Sequence, residues 1–238
     1  MKKAIVIGAT SGIGRALAEL LVKNGFIVGV TGRRQDLLEE LQAAFPGKIF
    51  ISKFDVTNVT AVAEKLPALV REIGGLDLLV VSSGTGHVNE TLDFALEKEA
   101  IDTNVLPFMQ IATWAYTFFR DQKGGHLVGI TSIAGVRGGR HAPAYNATKA
   151  FQISYLEGLR HKAKKSGLPI VITDIRPGFV DTAMAKGENV FWSAPVGKAA
   201  GQIYRAIENK KPVAYITRRW AVIAFFLRLL PEPLYQRI

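Results

Sequence analysis

The chain has 238 residues, 48% of them hydrophobic, which suits one domain built around one large core. It has no cysteine, which excludes disulfides, thiolate metal sites and a cysteine nucleophile, and is compatible with a cytoplasmic protein. A net charge of +10 and a pI near 9.8 admit nucleic acid, an anionic membrane or a phosphorylated small molecule as partner. No nucleic-acid-binding signature is visible, and the basic residues are scattered apart from Lys162, Lys164, Lys165 and the pair Arg218-Arg219, so nucleic acid is set aside.

Apolar runs alternate with amphipathic stretches in chain order. Met1-Lys2-Lys3 imitates the start of a secretory leader, but the apolar run 4–7 is too short and passes into a glycine loop, so it reads as a first buried strand. The loop Gly8-Ala9-Thr10-Ser11-Gly12-Ile13-Gly14 leads into a helix over 14–24. A strand over 26–31, a helix over 36–45, a strand over 49–54 and a helix over 58–73 follow. Asn24-Gly25 and Pro46-Gly47 stop the first two helices. Strands over 78–81, 126–131, 170–175 and 213–216 continue the pattern, with long helices over 96–120 and 143–166 between them. Several strands are apolar on consecutive residues, as expected when both faces are buried. The expected fold is therefore α/β: a doubly wound parallel sheet of about seven strands with helices on both faces, in a single domain spanning 1–238. Ligands of such sheets bind beyond the carboxyl ends of the strands, so chemistry is expected just after each strand.

The residues there have a consistent chemistry. Glycine permits a tight turn and close backbone approach, and the N-terminus of the next helix favours a pyrophosphate. The spacing Gly8-x3-Gly12-x-Gly14 between a strand and a helix points to a dinucleotide. Where NAD sites usually carry an acid, the second strand ends in Gly32-Arg33-Arg34; arginine forms bidentate bonds with phosphate, which points to NADP(H). Tyr145 and Lys149 stand four apart and share a helix face. A fixed ammonium beside a phenol favours the phenolate, so Lys149 is expected to lower the pKa of Tyr145.

Taken together, these motifs and others resemble the short-chain dehydrogenase/reductase family over about residues 3–184, a Rossmann-type fold. Gly8, Gly12 and Gly14 resemble its glycine motif, with Thr10, Ser11 and Ile13 between them. Asp55-Val56 resembles its adenine-contacting pair, and Tyr145-x3-Lys149 its active-site pair. Ser132 in Ile130-Thr131-Ser132, Asn104 in Asp102-Thr103-Asn104, and Arg176-Pro177-Gly178 with Asp181-Thr182-Ala183-Met184 fall where the family keeps its serine, its asparagine and its nicotinamide segment. Alone, each residue has an ordinary explanation as a strand end, cap or turn; their joint order is what carries the resemblance.

The resemblance implies hydride transfer between a nicotinamide and a carbonyl or secondary alcohol, with no metal. Tyr145 is the acid or base. Lys149 tunes it and bonds the nicotinamide ribose, and Ser132 binds the substrate oxygen. The backbone carbonyl of Asn104 holds a water that links Lys149 to solvent. Thr182, Pro177 and Gly178 embrace the cofactor. Homodimers or homotetramers through the helices over 96–120 and 143–166 are also implied.

There are departures. Val81-Ser82-Ser83-Gly84 keeps only the glycine of the family's Asn-Asn-Ala-Gly stretch, Thr148 replaces a commoner serine, and Pro107 is expected to kink its helix and shift Asn104. The four histidines, His87, His126, His141 and His161, show no ligand spacing, although His87 and His141 could flank the active-site mouth.

Residues 179–195 form the expected substrate loop, where Met184, Val190, Phe191 and Trp192 suit a partly hydrophobic substrate or a self-packed lid. The basic, apolar tail over 218–238 cannot span a bilayer. It suits peripheral contact with an anionic membrane, a subunit contact or a cover for the pocket. The leading expectation is an NADP(H)-dependent carbonyl reductase. A 3-oxoacyl-thioester reductase and a non-catalytic NADP-binding sensor are the alternatives.

Overall fold

The structure is a computed structural model and describes residues 1–183 and 192–237. The seven strands are β1 Lys3–Ile7, β2 Ile27–Gly32, β3 Ile49–Lys53, β4 Leu78–Val81, β5 Gly125–Ile130, β6 Ile170–Pro177 and β7 Val213–Ile216. They form one parallel sheet in the order β3-β2-β1-β4-β5-β6-β7. The helices are α1 Gly12–Lys23, α2 Gln35–Ala44, α3 Val59–Ile73, α4 Phe94–Asn104, α5 Leu106–Asp121, α6 Pro143–Ser166, α7 Val196–Glu208, α8 Arg219–Leu229 and α9 Glu232–Tyr235.

The alternation of side chains along each strand explains the layers. Ile5, Ile7, Leu79 and Val81 face one side, where they pack with Leu66 and Leu69 of α3, Ile111 and Phe119 of α5 and Leu156 of α6. Ala4, Val6, Val28, Val30 and Val80 face the other side, against Leu17 and Leu21 of α1, Leu38 and Leu41 of α2 and Ile203 of α7. Both faces are covered, which is why these strands read as unbroken apolar runs. The chain reverses its winding between β1 and β4, and the crevice between their carboxyl ends is where doubly wound sheets take ligands.

One expected element is corrected. The helix read over 96–120 is two helices, broken at Val105. Pro107 does not kink a helix from inside but stands in the first turn of α5, where its missing N–H would have had no partner. The break lets α4 end on Asn104, which is fully buried.

Candidate active site

The glycine loop closes the crevice on the β1 side. Gly8 has φ +83°, donates its N–H to the Thr31 carbonyl oxygen at 3.1 Å, and has no room for a side chain: a Cβ there would lie 2.7 Å from the Ser83 nitrogen. Gly12 has φ +56° and opens α1, whose first turn has no side-chain cap and no acidic residue. Its unpaired N–H groups and positive dipole end fit an anion such as a pyrophosphate, and Ile13 and Gly14 continue that turn.

Arg34 Nη2 donates to Thr10 Oγ1 at 2.6 Å and to Ser11 Oγ at 2.8 Å, so a guanidinium and two hydroxyls converge beside the loop. Arg33 is largely exposed and stands 3.8 Å from Asp55 Oδ2. The other oxygen of Asp55 accepts from the Thr57 N–H at 3.0 Å and from the Thr57 hydroxyl at 2.9 Å, which fixes the turn after β3. Val56 packs into the core beneath it. Arg33, Asp55, Thr57, Lys98, Asp102 and Thr103 line a cleft of about 360 Å³. Across the crevice, the Thr182 methyl group comes within 3.2 Å of where a Cβ of Gly12 would sit, so the segment after Pro177-Gly178 reaches back to the glycine loop.

The second cluster is built by α6. Its helical spacing sets Tyr145, Lys149 and Gln152 on one face. Ser132 ends the loop after β5 and caps a short 3-10 turn, its Oγ accepting from the Ala134 N–H at 3.1 Å. That engagement leaves the Ser132 O–H to donate, and the hydroxyl lies near enough to the Tyr145 phenol to influence its acidity. Lys149 is buried; its Nζ donates to the Ile130 carbonyl oxygen at 3.2 Å and to Gln152 Oε1 at 3.0 Å, and lies 5.8 Å from the centre of the Tyr145 ring. The Asn104 amide accepts from the Thr85 N–H at 2.9 Å, and donates to the Thr85 carbonyl oxygen at 2.7 Å and to Thr148 Oγ1 at 3.1 Å. Gly84 passes beside both: a Cβ there would lie 3.2 Å from Asn104 Oδ1 and 3.5 Å from Lys149 Nζ. The stretch that departs from the family pattern is thus held by Asn104 itself.

The electrostatics correct one expectation. Burial pushes the Tyr145 phenol up from its ordinary value, and the neighbouring Ser132 hydroxyl pulls the other way. Lys149 is itself brought down to about 8 by burial, while Asp174 opposes the change. The expected lowering of the phenol is reversed because burial of the phenol dominates, with the Lys149 ammonium held on Ile130 and Gln152 at 5.8 Å from the ring centre.

Three further arrangements could not be read from the sequence. Gln152 Nε2 donates to the Asn104 carbonyl oxygen at 2.8 Å, the group expected to hold a water; its only signal is its place seven residues after Tyr145. Buried Asn89 donates to Glu97 Oε1 at 2.7 Å, and Glu97 Oε2 accepts from the Ala144 N–H at 3.0 Å, which clips the loop after β4 to the start of α6. Behind Lys149, Asp174 forms a buried ion pair with Arg176 at 2.7 Å and accepts from Thr131 Oγ1 at 2.6 Å.

Around the mouth, His141 bonds Glu90, and His87 lies 3.2 Å from Glu99. Among the described residues, no group of three or more His, Cys, Asp or Glu is placed to hold a metal ion. The base of the substrate loop is pinned by a bridge between Val180 and Ala194. Met184, Val190 and Phe191 lie outside the described residues. The tail turns one face inward: the Trp220 ring covers Gly178 so closely that a side chain there would collide with it, and it meets Phe179 edge-on at 5.7 Å. Arg137 ties the tail to the turn after Ser132, donating to the Leu227 carbonyl oxygen at 2.9 Å, to that of Leu230, and to Glu232 at 2.6 Å. The outer face of α8 exposes Val222, Phe225, Phe226 and Leu229.

Comparison with known proteins agrees with this geometry. The family model described as short chain dehydrogenase matches residues 2–190. An uncharacterized oxidoreductase of Myxococcus xanthus is 37% identical over 194 residues, covering 79% of this chain and 76% of its own. One of Staphylococcus aureus is 33% identical over 191 residues, covering 79% and 82%. Among solved structures, a short-chain dehydrogenase from Streptomyces avermitilis superimposes with a TM-score of 0.80 at 26% identity, covering 90% of this chain and 88% of that one. The closed form of a serine dehydrogenase complexed with NADP+ does so with 0.79 at 25% identity, covering 86% and 88%.

Proposed function

Since the chain belongs to the short-chain dehydrogenase family of oxidoreductases, we propose that it is an NADP(H)-dependent reductase of a partly hydrophobic carbonyl compound. The observation that carries the reading is the clustering of Ser132, Tyr145 and Lys149 beyond the carboxyl end of β5, in a chain whose glycine loop opens a helix with no side-chain cap. A sensor that only bound the dinucleotide would have no use for a serine hydroxyl and a phenol set beside each other to meet a substrate oxygen.

The residues fit the cofactor. Gly8 and Gly12 hold the positive φ values and close backbone contacts of a tight turn, and α1 offers N–H groups to a pyrophosphate. Arg34, Thr10 and Ser11 present a cation and hydroxyl groups suited to a 2′-phosphate. NADPH, when bound, supplies the hydride. Tyr145 gives its proton to the carbonyl oxygen as that oxygen gains charge, and the reverse reaction uses the phenolate as base. Ser132 donates a hydrogen bond to the same oxygen, an interaction that strengthens in the transition state. Lys149 places its charge behind the phenol and stabilises the phenolate left by proton transfer. Pro177, Gly178 and Thr182 close the nicotinamide side. Titrating the chain with NADPH and NADH and then offering a panel of ketones, aldehydes and 3-oxoacyl thioesters tests the reading. Tight NADPH binding with carbonyl-dependent oxidation supports it, and NADH preference overturns the cofactor assignment.

The outer face of α8 supports a contact with an anionic membrane. Val222, Phe225, Phe226 and Leu229 recur at helical spacing, all more than half exposed, and Arg218, Arg219 and Arg228 stand at its two ends. A lipid-dissolved ketone would enter from that side, since the substrate loop and α8 follow the carboxyl ends of the neighbouring strands β6 and β7. Co-sedimentation with phosphatidylglycerol vesicles is expected for the full chain and not for Phe225→Glu/Phe226→Glu; equal behaviour of the two ends the idea. Assembly through α5 and α6, where Leu106 and Met109 are exposed, is expected to give a dimer or tetramer by light scattering.

A further inference from the structure

Gln152 belongs to no motif, yet it occupies a central place. Its side chain is 1% exposed, between Asn104 at 0% and Lys149 at 4%. Each end of its amide is used: Oε1 accepts from Lys149 Nζ at 3.0 Å, and Nε2 donates to the Asn104 carbonyl oxygen at 2.8 Å. The orientation follows from the partners. An ammonium only donates and a carbonyl only accepts, so a primary amide satisfies both in one direction alone. The carbonyl is available because α4 stops at Asn104 and α5 restarts beyond Val105, which frees the last carbonyls of α4 from the helical ladder.

We propose that Gln152 is a positioning residue that clamps the Lys149 ammonium directly to the Asn104 main chain, filling by a side chain the link the resemblance gives to a water. This deepens the proposed function and rests on it for the role of Lys149, but the clamp itself is a property of the free protein.

Two consequences separate a clamp from a mere core contact. The first is electrostatic. Oε1 bonds the charged form of Lys149, so the amide opposes the burial that lowers this lysine. Three other groups also face the ammonium: Asp174, from β6, acts in the same direction, the Ile130 carbonyl oxygen, from β5, accepts its other hydrogen bond, and the Tyr145 ring, from α6 itself, lies 5.8 Å away. The second concerns protons. A water between Lys149 and Asn104 could pass a proton onward, whereas an amide N–H does not ionise in the working range. Resupply of the Tyr145 proton through Lys149 therefore does not run through the Gln152 amide itself.

The experiment uses the full chain labelled with ¹³C at the lysine ε-carbon, titrated by NMR. The Lys149 resonance is assigned as the one missing from Lys149→Arg. The wild-type midpoint is expected at about 8. Gln152→Leu, similar in size and without hydrogen-bonding groups, is expected to lower the midpoint by about one pH unit or more, the loss of one charge-assisted hydrogen bond. Gln152→Glu places a carboxylate there and is expected to raise it. Opposite shifts support the clamp, since a packing defect would not reverse sign with charge. A midpoint unchanged in both variants overturns it. If the leucine variant fails to fold, as judged by circular dichroism, the glutamate variant decides alone. NADPH binding and carbonyl turnover are measured separately on wild type, so failure of the reductase reading leaves the titration result intact.

Discussion

Replacing Arg34 by alanine removes a guanidinium that reaches the glycine loop. In the structure Arg34 donates at 2.6 Å to Thr10 Oγ1 and at 2.8 Å to Ser11 Oγ. Those hydroxyls fix where its positive charge lies, so a 2′-phosphate placed beside them would take a charge-assisted bond. Such a bond contributes about 1.5–3 kcal/mol, and each 1.4 kcal/mol is tenfold in affinity. The NADPH dissociation constant of Arg34→Ala should therefore rise by about 10- to 100-fold. NADH has no 2′-phosphate, and its constant should change less than about threefold. Arg33 sets the scale of a control: it is largely exposed and 3.8 Å from Asp55, so Arg33→Ala should weaken NADPH by less than Arg34→Ala does. Fluorescence titration of the nicotinamide with each variant reads both constants. Equal losses for NADPH and NADH in Arg34→Ala would show that the arginine supports the loop rather than the phosphate, and would refute the reasoning.

Ser132→Ala should lower kcat by about 10²–10³-fold with little change in NADPH binding, because it removes one donor to the developing oxyanion; an unchanged kcat contradicts that role. Arg137→Ala should lower Tm by several degrees, since the Leu227 and Leu230 carbonyl oxygens and Glu232 lose their common donor; thermal unfolding followed by circular dichroism checks it. His126 is held down to about 4 by burial, with Lys210 adding to the effect, while its unfolded value is near 6.5. The unfolded chain thus binds the extra proton first. The stability contributed by the neutral imidazole is complete above about pH 6.5 and is lost as pH falls toward 4. The variant His126→Gln should lose less Tm across that window than the wild type; parallel curves would remove His126 as the cause.

The parts legible in the sequence were those set by local spacing. Consecutive apolar residues such as Ile5-Val6-Ile7 and Leu78-Leu79-Val80-Val81 announce strands covered on both faces, and the structure places all seven expected strands in one parallel sheet. Gly8 and Gly12 signal their turn because their positive φ disfavours a side chain, and Gly14 because a Cβ there would lie 2.2 Å from the Gly8 carbonyl oxygen. The break at Val105 escaped because Pro107 is compatible both with a kink and with a helix start, and only tertiary packing chooses between them. The acidity of Tyr145 was misjudged for a related reason. Spacing shows that Lys149 is near, but not that burial dominates or that Lys149 turns its hydrogen bonds elsewhere. Gln152 was invisible because its meaning depends on the end of α4, distant in sequence, arriving beside α6.

The central claim is that Tyr145 protonates a carbonyl while NADPH is consumed, and one measurement addresses it most directly. NADPH oxidation is followed against a carbonyl panel with wild type and Tyr145→Phe side by side, together with the NADPH dissociation constant of each. Carbonyl-dependent oxidation by the wild type, reduced by about 10²–10⁴-fold in Tyr145→Phe at an unchanged dissociation constant, is the predicted result. Full turnover by Tyr145→Phe, or tight NADPH binding by a wild type that reduces no carbonyl in the panel, would contradict it.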